Sequence, residues 1–102
     1  MRRLFWTPQS IQDLESIQEY IDNDSPQYAN LMIDRLLAAV DHLLEFPESG
    51  RIVPEFYRSE LRELLYRNYR IVYRLSETKI EVLTVFHGSR NLDLPGDLSG
   101  IH

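Results

Sequence analysis

Two stretches of the chain repeat apolar residues at helical spacing, and three later stretches alternate with a period of two. Ile11, Leu14, Ile17 and Ile21 fall on one side of a helix, with Asp13, Glu15, Glu19 and Asp22 largely off that stripe. Thr7 suits the N-cap and Pro8 the first turn, where a missing N–H costs nothing, so a helix is predicted from there to about Asp22. Ser25-Pro26 repeats that punctuation, and Ala29, Met32, Ile33, Leu36, Leu37, Val40, Leu43 and Leu44 continue as a second amphipathic helix. It should stop near Phe46, because Pro47 disfavours helical geometry in the residue before it. The short link between the helices predicts an antiparallel hairpin.

Residues 2–6 form a short strand candidate ahead of this hairpin, and residues 47–58, broken by Gly50 and Pro54, read as a loop. Residues 61–67, 69–75 and 79–87 are rich in Tyr, Val, Ile and Leu and read as strands. In the second of these, Tyr69, Ile71, Tyr73 and Leu75 share a face; in the third, Ile80, Val82, Thr84 and Phe86 do. Packing both sets beneath the helices turns Arg70, Arg74 and His87 to the opposite, open face. The expectation is an α+β fold of order β-α-α-β-β-β, an antiparallel sheet with the N-terminal helical hairpin on one side. Residues 1–92 would form one domain and residues 93–102 a flexible tail.

The 102-residue length allows one core, and no apolar run approaches the ~18 residues needed to span a bilayer. Met1-Arg2-Arg3 leads directly into the first strand, so no leader is expected. With no cysteine, a disulfide framework, a thiolate nucleophile and a cysteine-ligated zinc are excluded, which fits a cytoplasmic protein. Net charge is −5, but unevenly spread: residues 1–48 hold nine acidic side chains against three arginines, while residues 51–90 hold eight cations against five acids. Seven of those eight cations are arginine, whose planar fork suits carboxylates, phosphates and ring faces, so a specific anionic partner is implied more than general coating of nucleic acid.

No Gly-rich phosphate loop, nucleophile elbow or metal-ligand spacing is present, and neither metal nor cofactor is expected. His42 in the second helix reads as structural. The dense group is Arg58, Arg62, Tyr66, Arg67, Tyr69, Arg70, Tyr73 and Arg74, which could serve as a macromolecular binding face. Against that stands pairing of each arginine with Glu60, Glu63, Glu77 or Glu81 across strands while the tyrosines fill the core. Glu55, Arg70 and His87 are the sharpest candidates for catalysis, as base, oxyanion stabiliser and acid in phosphodiester cleavage.

Six segments together resemble one family. They are Trp6-Thr7-Pro8 with Asp13-Leu14 and Tyr20-Ile21; Phe46-Pro47; Gly50-Arg51-Ile52-Val53-Pro54-Glu55; Leu61-Arg62-Glu63; Tyr69-Arg70-Ile71-Val72-Tyr73-Arg74; and Val85-Phe86-His87-Gly88-Ser89-Arg90. Over residues 4–92 the chain resembles toxins of the RelE/ParE superfamily, the toxin halves of type II toxin–antitoxin pairs. That resemblance implies the same fold and a cognate antitoxin, ParD-like or similar, in a hetero-oligomer with the toxin. ParE-type members act on DNA gyrase, whereas RelE-type members cleave messenger RNA on the ribosome. The Val-Pro-Glu loop and the His-Gly-Ser-Arg ending are more ParE-like, and the sheet lacks the lysine cluster and following aromatic of RelE-type nucleases. On the RelE-type alternative, Glu55, Arg70 and His87 align with an acid–base set; on either, Arg58, Arg62, Tyr66, Arg67, Arg74 and Arg90 would meet target or antitoxin.

Overall fold

The computed structural model describes residues 2–88. Thr7 and Ser25 act as the sequence predicts: each hydroxyl accepts a backbone N–H, from Ser10 and Tyr28 respectively, and a proline follows at the first helical position. They open α1 (Pro8–Asp22) and α2 (Pro26–Asp41). The second helix ends earlier than Phe46, its last turn tightening into a 3-10 segment, His42–Leu44. His42 is exposed and lies against the Phe46 ring at 4.8 Å.

Five strands follow the order β1-β5-β4-β3-β2 across one sheet: β1 (Arg3–Trp6), β2 (Arg51–Ile52), β3 (Leu61–Tyr66), β4 (Tyr69–Leu75) and β5 (Lys79–His87). The fold is α+β with the predicted element order, but two details differ from expectation. A two-residue strand, β2, pairs with β3 inside what the sequence suggests is a loop. The sheet is also mixed, because β1 lies parallel to β5 with Leu4 beside Ile80 and Trp6 beside Val82. Only the β2-β3-β4-β5 part is antiparallel. The intervening helices and meander return the chain to the outer edge of β5 in the direction of β1, as a parallel neighbour requires a long crossover.

The main core lies between sheet and hairpin. Ala29, Met32, Leu36, Val40 and Leu43 pack on Ile71, Tyr73, Ile80, Val82 and Val85. Tyr73 sends its hydroxyl to the Pro47 carbonyl (2.7 Å) and accepts from the Gly50 N–H (3.1 Å). A Cβ at Gly50 would fall 2.5 Å from that hydroxyl, so the close approach requires glycine. A second, smaller cluster on the far face joins Val53, Leu61, Val72 and Leu83, with Phe56 and Phe86 at its margin. The loop after β2 therefore covers part of the face expected to be open.

A bulge in β5 changes which residues reach that face. Tyr73 pairs with Val82 but Val72 with Thr84, leaving Leu83 as an extra residue. The alternation inverts beyond it, so Val85, not Phe86, joins Ile80 and Val82 beneath the helices. Beyond the end of β1, α1 covers the β5 edge: the Asp13 carboxylate accepts the Val85 N–H (3.0 Å) and the Thr84 hydroxyl. The Thr7 hydroxyl donates to the β5 carbonyls at Val82 and Leu83.

Leu36 is 0% exposed, whereas its neighbour Leu37 is exposed. Truncating Leu36 to alanine should therefore cost ~2–5 kcal/mol in chemical denaturation, and Leu37→Ala under ~1 kcal/mol. Equal losses would mean that the core contacts assigned to α2 are wrong.

Candidate functional site

Register places the catalytic candidates before any side-chain detail is needed. Residues 70, 72 and 74 of β4 face away from the helices, and Leu65, Glu63 and Leu61 of β3 stand opposite them. Glu63 thus lies on the face turned away from the helices, between two leucines, and it is 1% exposed. A carboxylate there requires a charged partner, since burying it alone would be prohibitive. It has two. Its Oε1 accepts Arg70 Nε (2.6 Å) and its Oε2 accepts Arg51 Nε (2.6 Å).

Arg70 is itself buried, at 9% exposure. Its outer nitrogens donate in parallel to Glu55, Nη1 to Oε2 at 3.1 Å and Nη2 to Oε1 at 3.0 Å, the two-pronged geometry that a guanidinium favours. The guanidinium also lies 5.3 Å from the centre of the Phe86 ring. Every nitrogen of Arg70 is thus committed to a carboxylate. The side-chain hydrogen bond from Arg70 holds the Glu55 carboxyl below its usual range, overcoming partial burial, and the bond to Glu55 raises Arg70 in turn.

His87 does not join them. Because of the bulge it pairs with Tyr69, on the helix side, and the two rings meet edge to face at 5.7 Å. Arg70 pairs instead with Phe86. The expected placing of Arg70, Arg74 and His87 on one open face is therefore corrected for His87, which stands on the helix side, and for Arg70, which faces away from the helices but is buried beneath the loop that carries Glu55. A shallow cleft of about 340 Å³ does wrap around this end of the sheet, lined by Arg51, Leu65, Arg67, Arg70 and His87 among others.

The remaining arginines divide. Arg74 pairs with Glu81 (3.3 Å) across β4 and β5, as the cross-strand alternative anticipated, whereas Arg58 pairs locally with Glu60 (2.5 Å), two residues on and before β3 begins. Arg62 donates to the carbonyls of Ser59 and Gly50, and Arg67 stands 5.8 Å from the Tyr66 ring. Tyr66 itself packs along the edge of the main core. Arg90 and the 93–102 tail lie outside the described residues. Arg51 and Glu63 were not singled out as site residues by sequence; the usable signal was a glutamate at a position whose strand neighbours on the same face are both leucine.

The Glu55 arm carries the loop after β2. Val53 accepts the backbone N–H of both Phe56 (3.2 Å) and Tyr57 (3.1 Å), and Val53 and Leu61 close the segment by a further backbone bond. Tyr57 at its tip has φ 53°, in the left-handed region that costs a bulky residue ~1–2 kcal/mol. With Val53 buried, Phe56 half-buried and Glu55 tied to Arg70, the loop is held at three points.

Removing one partner of a buried pair leaves the other uncompensated, so Glu63→Ala should cost ~3–5 kcal/mol in denaturant unfolding. Glu55 is 38% exposed at its side chain, and Glu55→Gln should cost distinctly less. Its depressed pKa also fixes a pH signature. The stability it contributes is full above about 4.5, its unfolded value, and fades as pH falls through the lower folded value. The stability gap between wild type and Glu55→Gln should accordingly be constant from pH 7 to about 5 and close in more acidic solution; a gap unchanged at pH 2 would refute the pairing.

The comparisons with known proteins fit this architecture. A family model described as "ParE toxin of type II toxin-antitoxin system, parDE" matches residues 4–92. The chain is 40% identical over 88 residues to Y4kP of Sinorhizobium fredii, spanning 84% of this chain and 88% of that one. It is 34% identical over 91 residues to toxin RelE2 of Caulobacter vibrioides, covering 88% and 99%. Among solved structures, a chain of the chromosomal ParDE toxin–antitoxin system from P. aeruginosa shares the fold with a TM-score of 0.71 and 23% identity, over 85% of this chain and 96% of that one. YafQ from E. coli matches with a TM-score of 0.52 and 14% identity, over 87% and 96%. With its capped hairpin, mixed sheet and matching sequence from residue 4 to 92, this chain belongs to the ParE toxin family of type II toxin–antitoxin systems within the RelE/ParE superfamily.

Proposed function

We propose that this toxin arrests growth in the cytoplasm by binding DNA gyrase, without cutting nucleic acid, and that a ParD-like antitoxin restrains it. The observation that carries the reading is the Glu55–Arg70–Glu63 network. A ribonuclease built on these residues needs Glu55 free to take a proton near neutral pH and Arg70 free to meet the phosphate. Here Glu55 is held as a carboxylate by the group that would have to leave it, and Glu63 takes the rest of that guanidinium. His87 stands on the other side of the sheet. What remains is a protein surface, which suits a ParE-type inhibitor.

The helical pair offers the antitoxin apolar contacts on more than one side: Ile11, Tyr20, Tyr28, Leu31 and Leu37 are all exposed large hydrophobics. A segment that folds as it binds would cover them and extend onto the sheet. The alternative, messenger RNA cleavage on the ribosome, draws support from the arginine-lined cleft beside His87.

A supercoiling assay with purified gyrase decides between them. The toxin in excess should block supercoiling, and primer extension on RNA from induced cells should show no codon-positioned cuts. Normal supercoiling together with such cuts would establish the alternative, and Arg70→Ala should then reduce cleavage by a factor of ~10²–10³.

A further inference from the structure

Most large apolar side chains in this chain are placed at no visible backbone expense. Tyr57 is different. It is 86% exposed, more than any other large hydrophobic residue among those described, and it sits at φ 53°. A tyrosine has no side-chain means of favouring that conformation, unlike asparagine or glycine, so the position is unfavourable twice over: strained backbone and an unburied ring. Nothing in the free protein recovers either cost, and residues held in this way are drawn to surfaces that work on something else.

The loop is also built to keep the ring in place. Val53 is fully buried in the far-face cluster, Phe56 packs at its edge, and the bonds from Phe56 and Tyr57 to the Val53 carbonyl close a tight turn. Glu55, two positions before Tyr57, is fastened to the buried Arg70. The Arg58 carbonyl accepts from Leu61 N–H on the other side, and the Arg58 side chain is fixed to Glu60. A ring presented by a pre-ordered loop loses little conformational entropy when it is captured.

We infer that Tyr57 is the residue with which the toxin engages its target, inserting its ring into an apolar pocket on a protein. The inference rests on the reading of this chain as a protein-binding toxin and adds the point of contact. The partner is a protein and not a nucleic acid because the neighbouring guanidiniums, Arg58 and Arg70, are already neutralised by Glu60, Glu55 and Glu63, and the chain carries −5 overall. A phosphate backbone requires cations that are free to replace its counterions. An apolar pocket with one hydrogen-bond partner for the phenol is what a tyrosine anchor fits.

The test compares wild type, Tyr57→Ala and Tyr57→Gly, each expressed from an inducible promoter without antitoxin and each purified for thermal unfolding and the gyrase assay. Tyr57→Ala should remain folded, lose growth arrest and inhibit supercoiling about thirty-fold less well, the loss expected of an interface anchor. Tyr57→Gly should melt above Tyr57→Ala, since glycine accepts the positive φ, yet be equally harmless. Equal loss of toxicity in two folded variants of unequal stability is a pattern that a merely structural role cannot produce, since activity would then follow stability. Wild-type arrest by either folded variant overturns the inference, as does a wild-type protein that arrests nothing. If wild type arrests growth but leaves supercoiling intact, gyrase is the wrong target, while loss of arrest in both variants still supports Tyr57. If wild type and Tyr57→Gly inhibit gyrase equally, gyrase stands and Tyr57 falls.

Discussion

A buried glutamate between two arginines organises the far side of this molecule. Glu63 is enclosed at a position that its strand neighbours mark as apolar, and it is compatible with folding only because Arg51 and Arg70 neutralise it. Arg70 then has donors remaining, and Glu55 takes them, which draws the loop after β2 down onto the sheet. The second apolar cluster, the short β2 pairing and the backbone conformation of Tyr57 belong to the same loop and the strands beneath it. Two of the three residues that the sequence offers as a catalytic set, Glu55 and Arg70, fasten a loop.

The chemistry explains why sequence likeness alone does not name the target. The chain matches the ParE family model and is also 34% identical to a protein named RelE2. A glutamate, an arginine and a histidine at these positions are common to both readings. What distinguishes the two readings physically is whether the guanidinium is free, and in this structure it is held by Glu55 and by Glu63, a residue outside the trio.

Much of the architecture was legible in the residues. Thr7-Pro8 and Ser25-Pro26 announce the two helix starts because capping is local: a hydroxyl and a fixed φ act within one turn. The strand limits of β4 and β5 follow from alternation and from the polar links beside them. The direction of β1 was not legible, since four residues pair equally well either way and the choice depends on where the intervening chain returns. Nor was the bulge at Leu83, because the run from Val82 to Val85 is apolar or nearly so at every position and alternation gives no warning there. The burial of Arg70 was legible in part: cross-strand pairing with Glu63 was among the readings, but the loop closing over it from Glu55 is a tertiary event.

The bulge has an implication for how such toxins diverge. An unpaired Leu83 sets the phase of the four residues after it, so the side of the sheet on which His87 stands is decided by strand register and not by its own identity. Deleting Leu83 would leave Thr84 opposite Val72 and His87 opposite Tyr69, but pairing Leu83 itself with Val72, with no bulge, would turn over the end of β5 and carry the imidazole to the face of Arg70. A lineage could therefore separate general-acid chemistry from the guanidinium, or reunite them, through substitutions that make or remove the bulge, with every member of the trio left unmutated.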